Sequence, residues 1–158
     1  MIHNLDEMGG LAKGFLLELD KRASFAGARV VALYGDLGAG KTAFAKELAK
    51  ELGIEKHITS PTFVILKKYH VKKSEIRNPK SETNSNVQNL KFETLIHIDA
   101  YRLGSGEDLK TLGWDELVKD PKNLILIEWP EKIAEVLPNN IIKLKFQYID
   151  ENTRKVVF

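Results

Sequence analysis

Gly35-Asp36-Leu37-Gly38-Ala39-Gly40-Lys41-Thr42 fits the pattern G-x-x-x-x-G-K-[ST], a loop whose backbone N–H groups turn inward around phosphates. The lysine supplies a cation for the β- and γ-phosphates, and the threonine hydroxyl is a ligand for Mg2+. Before the loop, Arg29-Val30-Val31-Ala32-Leu33-Tyr34 reads as a buried strand. After it, Phe44, Leu48 and Leu52 recur at helical spacing up to Gly53. Strand, glycine loop and helix in that order aim the positive end of the helix dipole at an anion. The stretch therefore predicts binding of ATP or GTP with Mg2+, with Asp36, Leu37, Gly38, Ala39, Gly40, Lys41, Thr42 and Ala43 against the nucleotide.

Outward from the loop, the chain alternates strand-like and helix-like stretches. Met8, Leu11, Ala12, Phe15, Leu16 and Leu19 form one face of a first helix that Asp6 can cap, although Gly9, Gly10 and Gly14 weaken it. Ile58-Thr59-Ser60-Pro61-Thr62-Phe63 turns into a strand over residues 64–69. Thr94-Leu95-Ile96-His97-Ile98-Asp99 is a further strand, and Leu124-Ile125-Leu126-Ile127-Glu128 is apolar enough to be covered on both faces. Between these two, residues 107–118 read as helix divided at Gly113, and residues 131–137 as a short helix stopped by Pro138. Ile142, Leu144, Phe146 and Tyr148 alternate with Lys143, Lys145 and Gln147, a half-exposed strand that Asp150-Glu151-Asn152 turns into a terminal hairpin. The fold class is α/β: a single P-loop NTPase domain over residues 1–158, with a mixed central sheet flanked by helices and a C-terminal β-hairpin. A polar insertion at about residues 71–91 is too poor in apolar side chains to join the core.

A chain of 158 residues with 43% hydrophobic content can bury one sizeable core. Its 24 Lys and Arg against 22 Asp and Glu leave a formal charge of +2, so no global basic field marks a nucleic-acid binder. The absence of cysteine removes disulfides, thiolate metal sites and cysteine nucleophiles. The first residues carry no secretory pattern and no stretch is long and apolar enough to span a membrane, so a cytoplasmic location is expected.

In an open α/β sheet the ligand sits beyond the carboxyl ends of the parallel strands. Asp99 and Glu128 both end strands, and each can hold Mg2+ beside Thr42 directly or through water. Glu128 can instead orient an attacking water, and the sequence does not divide these roles. Thr59, Ser60 and Thr62 suit either a nucleotide-sensing segment or a plain Ser-Pro turn. His97 reads as a site hydrogen-bonding group or a core histidine, Arg102 as a phosphate contact or a surface ion pair, and Trp129 as a platform beside the nucleotide or a packing residue. His3, His57 and His70 have no zinc-site spacing. Lys72, Lys73, Arg77 and Lys80 suit solvated polar chain better than RNA contact.

Taken together, the glycine loop, Ser60-Pro61-Thr62-Phe63, His97-Ile98-Asp99-Ala100-Tyr101-Arg102-Leu103 and Glu128-Trp129-Pro130 resemble the bacterial TsaE (YjeE) family. The likeness runs from about Arg29 to Glu131. It implies a small P-loop ATPase, using ATP and Mg2+, required for threonylcarbamoyladenosine formation in tRNA at the adenosine beside the anticodon. It implies action with the TsaD and TsaB proteins, with tRNA reached indirectly through that complex and no membrane role. The resemblance carries phosphate binding to Gly38, Gly40, Lys41 and Thr42, metal or catalytic roles to Asp99 and Glu128, a switch-like role to Ser60 and Thr62, and a place beside the nucleotide to Trp129; with the loop chemistry, Lys41 joins Asp99 and Glu128 as a catalytic residue and Thr42 joins them as a metal ligand. Hydrolysis is then expected to reset the partner complex, while the chain itself transfers no threonylcarbamoyl group. The long polar segment departs from the family pattern. Two other readings of a phosphate loop stay open: a small-molecule kinase, and a nucleotide-gated binding module with negligible turnover.

Overall fold

The computed structural model describes residues 2–4, 7–21, 26–55, 58–59, 61, 63–72 and 91–158. In chain order these form β1 (Ile2–Asn4), α1 (Met8–Lys21), β2 (Arg29–Tyr34), α2 (Lys41–Glu51), β3 (Leu66–His70), β4 (Thr94–Asp99), α3 (Gly106–Lys110), α4 (Trp114–Lys119), β5 (Asn123–Glu128), β6 (Ile142–Tyr148) and β7 (Thr153–Val157). Turns of 3-10 helix follow β4 at Ala100–Arg102 and β5 at Pro130–Val136.

The strands make one seven-stranded sheet in the order β1-β7-β6-β2-β5-β4-β3. β6, β2, β5 and β4 run parallel at its centre, while β3 pairs antiparallel at one edge and β7 and β1 at the other. The sheet is thus mixed, with the expected terminal hairpin formed by β6 and β7. Every residue of β5 is buried, as its continuous apolar run requires of a strand covered on both faces. β6 buries Ile142, Leu144 and Phe146 and exposes Lys143, Lys145 and Gln147, so its alternation serves one face.

Two apolar layers hold the sheet. On one face, Phe44 of α2 packs edge-on against Phe15 of α1, with ring centroids 5.6 Å apart, and at a tilt against Phe146 of β6, also at 5.6 Å. On the other, Trp114, Leu109 and Ile133 cover Ile96, Ile98, Ile125 and Ile127. The Trp114 indole donates to Val136 O at 3.0 Å, so its one polar group is satisfied inside the layer. Each such side chain contributes about 1.5–3 kcal/mol by leaving water.

The edges depart from the sequence reading. β1 was not anticipated: three residues carry no readable period, and antiparallel pairing with β7 makes them a strand. The edge strand begins at Leu66 rather than at Val64, because Val64 N and Ile65 N both donate to Pro61 O, at 2.9 and 2.6 Å, and Ile65 takes φ +67°. That turn ends extended geometry before Leu66. The short helix after β5 is a 3-10 segment with a non-helical Ile133 at φ −134°. Gly113 divides α3 from α4, as expected. Asp6 and almost all of the polar insertion, residues 73–90, lie outside the described residues.

Candidate functional site

The glycine loop leaves β2 at the carboxyl end of the parallel strands and closes onto α2. Gly35 has φ +141°, and a Cβ there would stand 2.3 Å from Phe146 O, so a side chain is excluded twice. Ala39 N donates to Asp36 O at 3.2 Å, and Phe44 N donates to Gly40 O at 2.9 Å as α2 begins. The Phe15, Phe44 and Phe146 rings fix that first helical turn, which positions Lys41 and Thr42.

Lys41 is buried, and its ammonium donates to Gly35 O and, at 3.0 Å, to Asp36 O. Its Nζ also lies 4.1 Å from the centre of the Trp129 ring. Burial pushes the Lys41 pKa below the usual lysine value, while the carboxylates of Glu128, then Glu131, Asp99 and Asp36, pull it back up. Loop carbonyls and an aromatic face surround the cation, and a phosphate would offer it a full anion.

Opposite Lys41, Thr42 Oγ1 donates to Glu128, 2.9 Å from Oε1 and 3.1 Å from Oε2. His97 Nε2 lies 2.8 Å from Glu128 Oε1. Nε2 donates to the carboxylate form of Glu128, and Nδ1 meets no described residue. Both side chains are buried, His97 completely. The neighbouring strand supplies Asp99, in register with Glu128, whose carboxylate accepts Tyr101 N at 3.0 Å as the chain turns out of β4. That turn takes Tyr101 to the surface, off the alternation that relates His97 and Asp99, and sets its ring 5.1 Å from Trp129.

Leu37 to Ala43, Asp99, Glu128, Trp129 and Arg154 line one cavity of about 330 Å³. Trp129 joins it through a left-handed backbone, φ +59°, a conformation that costs a bulky residue energy and recurs at functional sites. Among the expected nucleotide residues, only Asp36 is absent from that lining. It contributes its carbonyl to Lys41 instead.

The remaining candidates divide. Ser60 and Thr62 lie outside the described residues. Of their neighbours, Thr59 Oγ1 accepts from Lys67 Nζ of the edge strand at 2.5 Å, and Ile65 O accepts from the site residue Asp99 through its N–H at 2.9 Å. Arg102 is exposed, with its guanidinium 4.7 Å from the Phe63 ring centre, away from the cavity lining. His70 is exposed on the edge strand, and Lys72 pairs with Glu55 at 2.6 Å. Arg154 was missed. It stands 116 residues from Gly38, to which its Nε donates at 3.2 Å, and only the folding of the hairpin beside the loop brings it there. The one local signal was its place in a strand where alternation turns it inward with Val156.

The donors around Thr42 suit Mg2+. A hydroxyl and one or two carboxylates, completed by phosphate oxygens and water, are the oxygen set that ion takes. Among the described residues, no group of three or more His, Asp or Glu side chains forms a metal cage of protein atoms alone, and no helix is long and apolar enough to cross a membrane.

This geometry agrees with what the chain is similar to. The family model for the threonylcarbamoyl adenosine biosynthesis protein TsaE matches residues 3–156. The tRNA threonylcarbamoyladenosine biosynthesis protein TsaE of Treponema pallidum is 36% identical over 127 residues, 80% of this chain and 78% of that protein. Its counterpart in Rickettsia felis is 39% identical over 126 residues, and there the match spans 79% of this chain but 61% of the longer relative. In the crystal structure of Bacillus subtilis YdiB, the similarity covers 99% of this chain and 80% of that one, at 30% identity and a TM-score of 0.62. The chain belongs to the TsaE family of tRNA threonylcarbamoyladenosine biosynthesis proteins.

Proposed function

We propose that this chain is an Mg2+-dependent ATPase of the cytoplasm, a single P-loop domain whose nucleotide cycle resets the TsaB–TsaD complex that modifies tRNA. The observation that carries this reading is the meeting of Lys41, Thr42 and Glu128 in one cavity at the carboxyl ends of β2 and β5. Loop amides and Lys41 bind the polyphosphate and are aimed where charge grows as the γ-phosphate departs. Thr42, Glu128 and Asp99 would hold Mg2+, which when bound neutralises phosphate charge. Glu128, fixed between Thr42 and His97, also stands where it can orient the attacking water. Trp129 flanks the nucleotide and shields Lys41.

Ser60 and Thr62 are proposed as the segment that senses the γ-phosphate. Their support is the chain around them, which ties Pro61 through Ile65 to the Asp99 amide. No guanidinium is assigned to the transferring phosphate, so turnover alone is slow and a partner completes or remodels the site. The chain does not transfer the threonylcarbamoyl group, and tRNA is reached through the complex.

Reconstitution with TsaB, TsaD, tRNA and threonylcarbamoyl-adenylate tests the reading, by comparing one turnover with many. Added chain and ATP should raise modification beyond a single turnover. If multiple turnover never increases, the regulatory role is wrong. If ATP is consumed only when a metabolite hydroxyl accepts phosphate, the chain is a kinase instead.

A further inference from the structure

Arg154 is almost entirely buried, at 7% exposure, yet it reaches the cavity from the last strand of the sheet. Its Nε donates to Gly38 O at 3.2 Å, and its Nη1 donates to Asp150 O at 2.5 Å and Thr153 O at 2.9 Å. The guanidinium lies 4.5 Å from the Tyr148 ring centre, so β6 supplies a platform for it. The stem packs beside the loop as well: a Cβ placed on Gly40 would meet Arg154 Cγ at 3.6 Å. One side chain therefore touches two of the loop glycines and ties them to the hairpin turn.

Two features give this contact a consequence beyond packing. All three acceptors of Arg154 are neutral backbone carbonyls. Nη2 donates to none of the described residues. In addition, the peptide unit is planar. Holding Gly38 O therefore fixes the plane of the Gly38–Ala39 peptide, and with it the direction of the Ala39 N–H.

We infer that Arg154 is a positioning residue for the phosphate loop and a determinant of nucleotide affinity: it fixes the Gly38–Ala39 peptide from the terminal hairpin and adds a positive charge to the cavity wall. This rests on the nucleotide reading of the site. Arginine suits both tasks because its rigid fork can serve backbone carbonyls on one edge and face an anion with another, while stacking on an aromatic ring.

Calorimetric titration of ADP into the wild-type chain, Arg154→Ala and Arg154→Lys tests it, with thermal melting of each ligand-free protein alongside. Arg154→Ala should lose about tenfold or more in ADP affinity, the loss of one charge-assisted hydrogen bond and its charge. KM for ATP should rise by more than kcat falls. Arg154→Lys, which keeps the charge without the fork, should lie between. Guanidinium ion at millimolar concentration should restore part of the affinity of Arg154→Ala and none to the wild type. Wild-type ADP affinity in Arg154→Ala overturns the inference. So does a loss that merely follows lowered melting temperature and that guanidinium leaves unchanged. If Arg154→Ala does not fold, Arg154→Lys with wild-type affinity overturns it, and a weakened Arg154→Lys with unchanged melting supports it. A wild-type chain that binds no ADP refutes the nucleotide reading itself, a result distinct from any of these.

Discussion

Glu128 accepts the Thr42 hydroxyl through both carboxylate oxygens, at 2.9 and 3.1 Å, across 86 residues of chain. The pair links the first turn of α2 to the end of β5, and β5 lies beside β2, which feeds the glycine loop. Sheet register thus sets the distance between the loop that holds phosphate and the acid that faces it.

Glu128→Gln should separate binding from turnover. The amide keeps the shape and can still meet Thr42, but it has neither the charge to hold a cation nor the basicity to orient water. ADP affinity should change by less than threefold while phosphate release from ATP falls about a hundredfold, the lower range for loss of a positioned acid–base group. Calorimetry and a phosphate-release assay on one preparation decide it. Parallel loss of both quantities would assign Glu128 to ground-state binding instead.

Lys41→Met should abolish measurable ADP binding and leave the ligand-free protein as stable as the wild type or more so. Burial lowers the Lys41 pKa, so the folded chain holds that proton less tightly than the unfolded chain does. The resulting cost is fully present below the folded-state pKa. It fades as pH rises from the folded-state pKa to the ordinary lysine value. Melting curves should therefore show the Lys41→Met advantage shrinking as pH rises toward the ordinary lysine value. A lower melting temperature for Lys41→Met at neutral pH would mean that the bonds to Gly35 O and Asp36 O outweigh desolvation.

Much of this was legible because the relevant signals are local. The glycine loop, the all-apolar β5 and the alternation of β6 each carry their own pattern, and strand-end acids follow from topology once the strands are known. Arg154 and β1 were not legible for a common reason: each is decided by a partner distant in sequence. Arg154 meets Gly38 only after the hairpin forms, and β1 exists because β7 offers an edge; the turn at Ile65 combines a local cause, two amides donating to Pro61 O, with a distant one, Asp99 N donating to Ile65 O. The site itself divided the same way. Its residue types could be read from motifs, whereas the bond from His97 to Glu128 depends on the register of β4 with β5.

That bond makes a separable prediction for His97, which acts on the site only through Glu128. His97→Gln can place an amide N–H where Nε2 stands; His97→Leu fills the space and donates nothing. Turnover should fall about tenfold or more in His97→Leu, the worth of a hydrogen bond to a charged group, and less in His97→Gln. ADP affinity should be little changed in both. Equal turnover in the two variants would mean that His97 only fills space beside Glu128.

Gly10 and Gly14 of α1 test how far this helix is optimised. A Cβ at either position meets nothing within 4 Å, and neither has a positive φ. Both lie inside the helix, where glycine leaves more backbone freedom to the unfolded chain than alanine does. Gly10→Ala and Gly14→Ala should each raise stability by about 0.5–1 kcal/mol, read from denaturant midpoints at unchanged slope. Gly9 differs, because its Cβ would stand 3.4 Å from the Glu47 carboxylate of α2, so Gly9→Ala should gain less. If all three substitutions gained equally, the approach of α1 to α2 at Glu47 would be looser than this packing, and the Phe15–Phe44 contact that seats the phosphate loop would be free to shift with it.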